Sequence, residues 1–213
     1  MRLTKFGHAC VRVEHAGVRV VLDPGGFTER EAVEGADHVL ITHQHADHYD
    51  ADHLRAAGAT IHTIEAVAAV IREEAPDLAD RLHVVTPGDD LDVGFAVSVV
   101  GERHAVIHPD LPRFDNSGYL LRLGDQRVYH PGDALTAPGE PVDLLLAPVS
   151  APWLKVGEAV DFVREVGAPR NLAIHDRVYS DVALQMVQGH MQRLVTEPLG
   201  LSFERLPDGA DLA

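Results

Sequence analysis

The sequence is poor in cysteine and contains no long hydrophobic run. Cys10 is the only cysteine among 213 residues, which excludes an internal disulfide and a metal cage built from thiolates. No apolar stretch approaches the ~20 residues that a membrane-spanning helix requires. The N-terminal segment MRLTKFGHACVRVEH also lacks the charged head, apolar core and cleavage site of a signal peptide. These absences predict a cytoplasmic protein without a membrane segment.

Positive charge is also scarce. The chain has 18 lysines and arginines against 33 aspartates and glutamates, for a net charge of −15. A surface this acidic repels the phosphate backbone, so we expect no nucleic-acid partner and favour a small-molecule substrate. The residue that is abundant is histidine, with 14 copies, and this excess points to metal chemistry.

The order of predicted elements indicates one domain over residues 1–213. The opening segments LTKFG, CVRVEH and VRVVLD read as a β-meander, and further strands and helices alternate to the C-terminus. Two β-rich halves, each followed by helices, predict two packed sheets with helices outside them. The longest segment without a regular pattern is the loop 101–116, and such loops are often functional or disordered.

The segment LITHQHADHYD, residues 40–50, crowds polar side chains behind a predicted strand. Residues two apart in an extended chain project to the same side, so His43 and His45 can hold one ion together. Asp47 and His48 follow where the chain turns and can face a second ion. A solvated histidine-rich loop without chemical consequence is the alternative, and the H-x-H-x-D-H spacing after a buried strand weighs against it.

Three further polar residues follow apolar runs elsewhere in the chain. They are His104 after VVGER, Asp133 in VYHPGD and His175 in LAIHD. Taken singly, His104 and Asp133 are weak signals. Because strand ends deliver side chains to one rim of a sheet, the set together predicts a common site.

The H-x-H-x-D-H motif with these later residues resembles the metallo-β-lactamase-fold superfamily. The segments LTKFGHACVRVEHAGVRVVLDP, HAVIHPDLP, NSGYLL and YHPGDAL resemble its metal-dependent hydrolases akin to ascorbate-phosphate lactonases and N-acylphosphatidylethanolamine phospholipase D. The resemblance implies an α+β fold, a four-layer αββα sandwich of two mostly antiparallel or mixed sheets with outer helices. It also implies two divalent ions, Zn²⁺ with Mn²⁺ or Fe²⁺ as alternatives: one held by His43, His45 and His104, the other by Asp47, His48 and His175, with Asp133 bridging.

Paired ions of this kind imply hydrolysis by a metal-bridging hydroxide. We therefore expect an enzyme that hydrolyses a small-molecule ester, lactone, amide or phosphoester, with Asp47 relaying a proton. A phosphodiesterase or nuclease on the same scaffold and a non-catalytic metal-binding module are the alternative functions. Short edge strands with apolar residues are compatible with a homodimer.

Other polar residues near these segments are candidates for supporting roles. Asp23 is expected to accept a hydrogen bond from a ligand histidine, or to cap the DPGG turn. His130 is predicted to be catalytic by donating to a developing oxyanion, or to lie in the core. His8, His108 and Asn116 are candidates for orienting substrate or ligands, with turn packing as the alternative for His8 and plain turn chemistry for Asn116. Trp153 either walls a pocket or staples the following helix.

Overall fold

A computed structural model describes residues 1–213 and shows two seven-stranded mixed sheets. The first sheet has the strand order β14-β1-β2-β3-β4-β5-β6 and the second the order β13-β12-β11-β10-β9-β8-β7. The first sheet comprises β1 (Arg2–Lys5), β2 (Val11–His15), β3 (Val18–Leu22), β4 (His38–Ile41), β5 (Thr60–Ile64), β6 (Leu82–Val85) and β14 (Ala210–Asp211). The second comprises β7 (Asp90–Asp92), β8 (Ala96–Val100), β9 (Gly118–Leu123), β10 (Gln126–His130), β11 (Leu144–Pro148), β12 (Arg170–Ile174) and β13 (Ser202–Glu204).

The helices are short and accompany both sheets, which confirms the predicted αββα sandwich. They are α1 (Ala51–Ala57), α2 (Glu65–Glu74), α3 (Val156–Val166), α4 (Asp181–Met191) and α5 (Glu197–Leu199), with a π-helical turn between the last two and 3₁₀ turns at Arg30–Val33 and Pro76–Arg81. Asp50 caps α1 by accepting the backbone N–H of His53. No helix combines the length and the apolar composition needed to cross a bilayer.

Each sheet changes from antiparallel to parallel pairing along the chain. Strands β1 to β3 form the predicted meander, and β3 to β6 pair in parallel. In the second sheet β7 to β10 are antiparallel and β10 to β13 parallel. Strands β7 and β14 give no signal in the sequence, because strands of three and two residues are too short for an alternating pattern. The loop 101–116 contains only an isolated bridge between Arg103 and Asp115.

The core lies between the sheets and extends beneath the helices. Tyr119 on β9 is fully buried and donates its hydroxyl to the carbonyl oxygen of Ile41 on β4, at 2.9 Å. Cys10 is also fully buried, and burial raises the pKa of its thiol. The Tyr119 hydroxyl therefore connects the two sheets directly beneath the end of β4.

Replacing Tyr119 with Phe tests this connection. The change keeps the buried ring and leaves the Ile41 carbonyl with the Thr63 hydroxyl as its remaining side-chain donor. We expect a loss of about 1 kcal/mol in the free energy of unfolding, measured by urea denaturation. Tyr179→Phe is the control. It also removes a hydroxyl, but this hydroxyl donates to the Leu154 carbonyl and does not connect the two sheets. A Tyr119→Phe protein as stable as wild type would contradict the connection.

Candidate metal centre

Strand ends from both sheets meet at one rim of the sandwich. The first sheet supplies the loop that follows β4, which carries His43, His45, Asp47 and His48. The second supplies one residue each after β8, β10 and β12, namely His104, Asp133 and His175. The structure thus brings together all seven residues predicted as metal ligands.

Their side chains form two groups with metal-binding spacing. Within each group the possible ligand atoms all lie within 4.8 Å of one another. One group matches the predicted first site and includes Asp133; the second adds a residue, His8, to the predicted trio. The groups are His43, His45, His104 and Asp133, and His8, Asp47, His48 and His175.

The Asp133 carboxylate lies between the two groups, and its two oxygens face different histidines. Oδ1 lies 3.1 Å from Nε2 of His48 and 3.2 Å from Nε2 of His175. Oδ2 lies 3.3 Å from Nε2 of His104 and 3.9 Å from Nε2 of His43. A carboxylate divided in this way has the geometry of a bridge between two adjacent cations.

Four of the imidazoles are held in one tautomer by the groups behind them. Nδ1 of His48 donates to Asp23 Oδ2 at 2.7 Å, and Nδ1 of His43 donates to the Thr42 hydroxyl at 3.0 Å. Nδ1 of His104 donates to the backbone carbonyl of Ala105. Nδ1 of His175 likewise donates to the carbonyl of Ser150. In its neutral form, each ring therefore presents an unprotonated Nε2 to the rim.

The atoms that face the rim have no partner within the protein. Nε2 of His48, His104 and His175 and Oδ1 of Asp133 are buried and make no hydrogen bond. If the rings are neutral, these buried acceptors face one another without water or a donor, which is unfavourable. A cation removes that penalty, and imidazole with carboxylate is a donor set that suits zinc and its neighbours. The residues present therefore fit divalent metal ions.

The pKa shifts at the centre also indicate that it stabilises positive charge. Burial disfavours a charged imidazole, yet Asp133 and Asp23 raise the pKa of His48 well above its ordinary value. Against the same burial, Asp133 and Asp47 raise the pKa of His175 to about 9. Burial alone would raise the pKa of the Asp133 carboxyl, but His48 and His175 hold it well below the usual range. The centre stabilises protons where no other cation balances its carboxylates.

Asp23, predicted as a residue behind the ligands, lies just past β3 and is fully buried. Besides His48, its carboxylate accepts the Thr42 hydroxyl at 2.7 Å and the Thr42 backbone N–H at 2.8 Å. One carboxylate thereby orients His48 directly and His43 through Thr42. Asp23 has a φ of 46°, a strained backbone conformation for a residue with a side chain.

His8 lies in the turn between β1 and β2, against the second group. Its Nδ1 accepts the backbone N–H of Arg177 at 3.2 Å, so a neutral His8 carries its proton on Nε2. That nitrogen lies 3.0 Å from Oδ2 of Asp47, and the His8 and His175 ring centroids are 3.8 Å apart. Hydrogen bonding of this kind places His8 behind Asp47 rather than at a coordination position.

Two side chains support Asp133 directly. Asn116 is buried, accepts the backbone N–H of Asp133 on Oδ1 and donates from Nδ2 to the Pro131 carbonyl, both at 2.9 Å. Trp153 donates its indole N–H to Asp133 Oδ2 at 2.9 Å. From the sequence, Trp153 was expected either to line a pocket or to pack against the following helix. A single tryptophan in a loop after a strand gives no signal of its hydrogen-bond partner.

Two of the residues predicted to contact substrate, His130 and Asn116, use their polar side-chain atoms in hydrogen bonds to the backbone. His130 is fully buried, with Nε2 donating to the Ala9 carbonyl at 2.9 Å and Nδ1 accepting the Gly132 N–H at 3.1 Å. It has no free nitrogen for an oxyanion, so it positions the turn that carries Asp133. Asn116 is likewise occupied by the backbone. His108 is exposed, and its Nδ1 accepts the N–H of Asp110 in its own loop.

Close backbone packing and strain concentrate at the same rim. A Cβ on Gly25 would lie 2.1 Å from the backbone of Asp47, so only glycine allows the two loops to meet. Four non-glycine residues have positive φ, and three of them are His8, Asp23 and His175. Such conformations persist where the surrounding hydrogen bonds hold them in place.

Two phenylalanine rings pack beside the rim. Phe114 packs edge-on against His45, with ring centroids 4.5 Å apart, and Phe27 packs against His8 at 5.3 Å. Phe27, Val106 and Val178 are large hydrophobic residues that are 43% to 52% exposed, and the two valines each lie within three residues of a predicted ligand. Two aromatic rings therefore border the centre.

Comparison with protein families gives a match across most of the chain. A family described as the beta-lactamase superfamily domain matches residues 2–175. Protein Rv0786c of Mycobacterium tuberculosis is 38% identical, with 98% of this chain and 97% of that protein covered. A metal-dependent hydrolase of the UPF0173 group from Methylobacterium nodulans is 32% identical over 62% of this chain and 63% of its own length.

Solved structures share the same architecture at low sequence identity. The metallo-beta-lactamase fold protein YhfI from Bacillus subtilis has a TM-score of 0.74 and 16% identity, covering 99% of this chain and 98% of its own. Igni18, a metallo hydrolase from Ignicoccus hospitalis, has a TM-score of 0.71 and 19% identity, covering 99% and 97%. At these identities the likeness concerns the fold.

Asp23→Asn tests the support of His48. An amide in this position offers the His48 N–H at best one carbonyl oxygen and can place an NH₂ group against it. We expect divalent-metal affinity to fall about 10- to 100-fold, measured by competition with a chromogenic chelator. Asp80→Asn, at an exposed carboxylate remote from the rim, is the control and should bind as wild type. Unchanged affinity in Asp23→Asn would remove Asp23 from this role.

Trp153 provides an optical test, since it is the only tryptophan in the chain. Its ring centroid lies 5.8 Å from that of His104 and 6.3 Å from that of His175. Addition of Co²⁺ to metal-free protein should quench its fluorescence, because an open-shell ion at this distance deactivates the excited indole, and a chelator should restore the emission. Emission that stays constant while elemental analysis finds bound cobalt would place the ion elsewhere.

Proposed function

The chain belongs to the metallo-β-lactamase superfamily and is a metal-dependent hydrolase, and from this premise we propose that it uses two divalent ions to hydrolyse a small-molecule carbonyl substrate such as an ester, lactone or amide. The observation that carries the proposal is the division of the Asp133 carboxylate between two groups of ligand atoms. Two ions in such groups, when bound, would lower the pKa of a water molecule and polarise the carbonyl that it attacks.

The ligand assignment follows the two groups. We propose that one ion is held by the first group and the other by Asp47, His48 and His175, with Asp133 shared. His8 would not ligate the ion and would instead orient Asp47 through the hydrogen bond from its Nε2. Zinc fits the imidazole-rich set best, and manganese or iron fit the same donors.

Asp47 is the residue proposed to move a proton. Its hydrogen bond and ion-pair contacts all involve Oδ2, which leaves Oδ1 free to accept a hydrogen bond in the cleft. The side chain is 23% exposed, whereas the Asp133 side chain is 4% exposed. Asp47 is thus the carboxylate of the centre that a solvent molecule reaches, and its Oδ1 would take the proton of the attacking water.

The surroundings of the centre favour a substrate with an apolar substituent. Arg177, close to His8 in the chain's fold, is neutralised by Glu29 and Asp208. Lys155 is exposed and faces Glu158. The phenylalanine rings beside the centre offer contact area to an acyl or aryl group. Arg113 also lies beside the centre, where its Nε donates to the His104 carbonyl at 2.9 Å, and it forms no ion pair with a carboxylate.

Removal and replacement of metal test the function. Protein stripped with a chelator, and shown to be folded by circular dichroism, should lose hydrolysis of p-nitrophenyl esters and regain it with zinc at two ions per chain. His104→Ala should lower kcat/KM at least about 10²-fold, because a displaced ion misaligns the reacting groups. His190→Ala, on α4, is the matched control and should keep wild-type activity.

The choice of substrate separates this proposal from its alternatives. Esters with longer acyl chains should be hydrolysed with a lower KM than acetate esters, and a lactone should also react. Faster cleavage of bis-p-nitrophenyl phosphate than of any ester would favour a phosphodiesterase instead. Full activity in metal-free protein would contradict the metal mechanism, and two bound ions without turnover of any of these substrates would favour a binding module.

A further inference from the structure

A network of charged side chains joins β1, the loop after β12 and the C-terminal segment, residues 205–211. At its centre is Lys5, the last residue of β1, whose side chain is fully buried. The ammonium group donates to Oδ1 of Asp176 and to Oδ1 of Asp208, both at 2.8 Å. A lysine is almost never fully buried unless it is paired, so these two carboxylates determine where the ammonium lies.

Asp208 extends the network from Lys5 to Arg177. Its Oδ1 accepts from Lys5, and its Oδ2 accepts from the Arg177 guanidinium. Burial would raise the pKa of the Asp208 carboxyl, but Lys5 and Arg177 lower it, so the group is ionised. One carboxylate of the C-terminal segment therefore holds both residues that follow the predicted ligand His175: Arg177 directly, and Asp176 through Lys5.

His175 depends on this loop for its backbone conformation. Its φ of 56° is unfavourable for a residue with a side chain. Its backbone N–H donates to the His8 carbonyl at 2.9 Å, and the Arg177 N–H donates to Nδ1 of His8 at 3.2 Å. His8 in turn contacts Asp47 at 3.0 Å. Displacement of the loop would therefore disturb two of the residues proposed to hold the second ion, His175 and Asp47.

Asp176 makes the loop sensitive to loss of the network. Its side chain is 5% exposed, and apart from Lys5 its carboxylate accepts only from Nε of Arg205, at 3.2 Å. A buried carboxylate that loses a cationic partner is strongly unfavourable. Movement toward water relieves that penalty, and because Asp176 is adjacent to His175, the ligand would move with it.

We propose that Lys5 and Asp208 are positioning residues for the second ion of the candidate centre. The inference rests on the proposed two-ion function. Neither residue touches an ion or a substrate. Together they fix the loop after β12 against the His8 turn, and the C-terminal segment thereby contributes to a centre whose candidate ligands all precede it in the chain.

Asp208→Asn tests the network through metal affinity. The Asp208 side chain is 32% exposed, and the amide keeps its size, so the change is compatible with folding. In a zinc titration against a chromogenic chelator, the ion of the first group should bind as in wild type. The ion of the second group should bind at least about tenfold more weakly, because its ligand loop is no longer held in place.

Asp211→Asn is the matched control. Asp211 belongs to the same C-terminal segment, and its carboxylate accepts from Arg2 and Thr4 on β1. It should bind both ions as wild type does. Lys5→Met should weaken the second ion more than Asp208→Asn does, since it leaves two carboxylates without the ammonium. If Lys5→Met does not fold, the comparison of the two Asn variants decides.

Amide hydrogen exchange in metal-free protein distinguishes this inference from the proposed function. The His175 N–H, protected by the His8 carbonyl, should exchange at least about tenfold faster in Asp208→Asn and at the wild-type rate in Asp211→Asn. A wild-type protein that binds only one ion would contradict the two-ion function, and exchange at His175 would still decide the positioning role.

Two outcomes would overturn the role of Lys5 and Asp208. One is a wild-type exchange rate at His175 in Asp208→Asn together with wild-type affinity for both ions. The other is an equal loss of zinc affinity and of protection in Asp208→Asn and Asp211→Asn, because that would identify a general loosening of the C-terminal segment.

Discussion

The arrangement of this protein depends on hydrogen bonds that hold imidazole rings by one nitrogen and present the other. Asp23, Thr42 and two backbone carbonyls each accept an Nδ1 proton. The result is a set of Nε2 lone pairs directed at one carboxylate, Asp133, in a buried position. Such a set is unfavourable on its own and becomes favourable when positive charge is added. The buried ligand set therefore lowers the stability of the protein without a cation and gives the site its preference for cations.

The backbone is shaped to maintain this arrangement. His8, Asp23 and His175 adopt positive φ values, and each is tied to a neighbouring loop. The N–H of His175 donates to the carbonyl of His8 at 2.9 Å, which joins the first and second sheets directly. Gly25 permits the contact between the DPGG turn and the loop after β4. Strain is concentrated at the rim, where the hydrogen bonds of both sheets resist its release.

The fold, and the meeting of the seven candidate ligands at one rim, could be predicted from sequence because strand ends follow regular patterns. The assignment of those residues to two ions came from the family resemblance. Buried strands end in polar residues, and strand ends gather at a rim whatever the details of packing. The residues behind the ligands could not be assigned in the same way. His130 and Asn116 resemble site residues in sequence, yet both form hydrogen bonds with the backbone of the Asp133 turn. The partner of the Trp153 indole depends on side-chain rotation, which no spacing in the chain records.

Asp23 shows the intermediate case. Its position at a strand end suggested contact with a ligand histidine, and the structure places it 2.7 Å from His48. The additional link through Thr42 to His43 depends on a hydroxyl orientation that the sequence does not specify. What the sequence conveys is the location of a polar group; its hydrogen-bond partners follow from the way two sheets dock.

The division of the candidate ligands between the two sheets has a consequence for how the protein tolerates change. Neither half of the polypeptide contains a complete donor set, so ion capture reports on the docking of the halves against each other. A substitution deep in the interface can therefore impair the centre without touching it, by sliding one layer a fraction of an ångström across the other. Selection for metal binding therefore also selects for a rigid interface between the two sheets. Substitutions in the core are constrained by the metal centre at its rim.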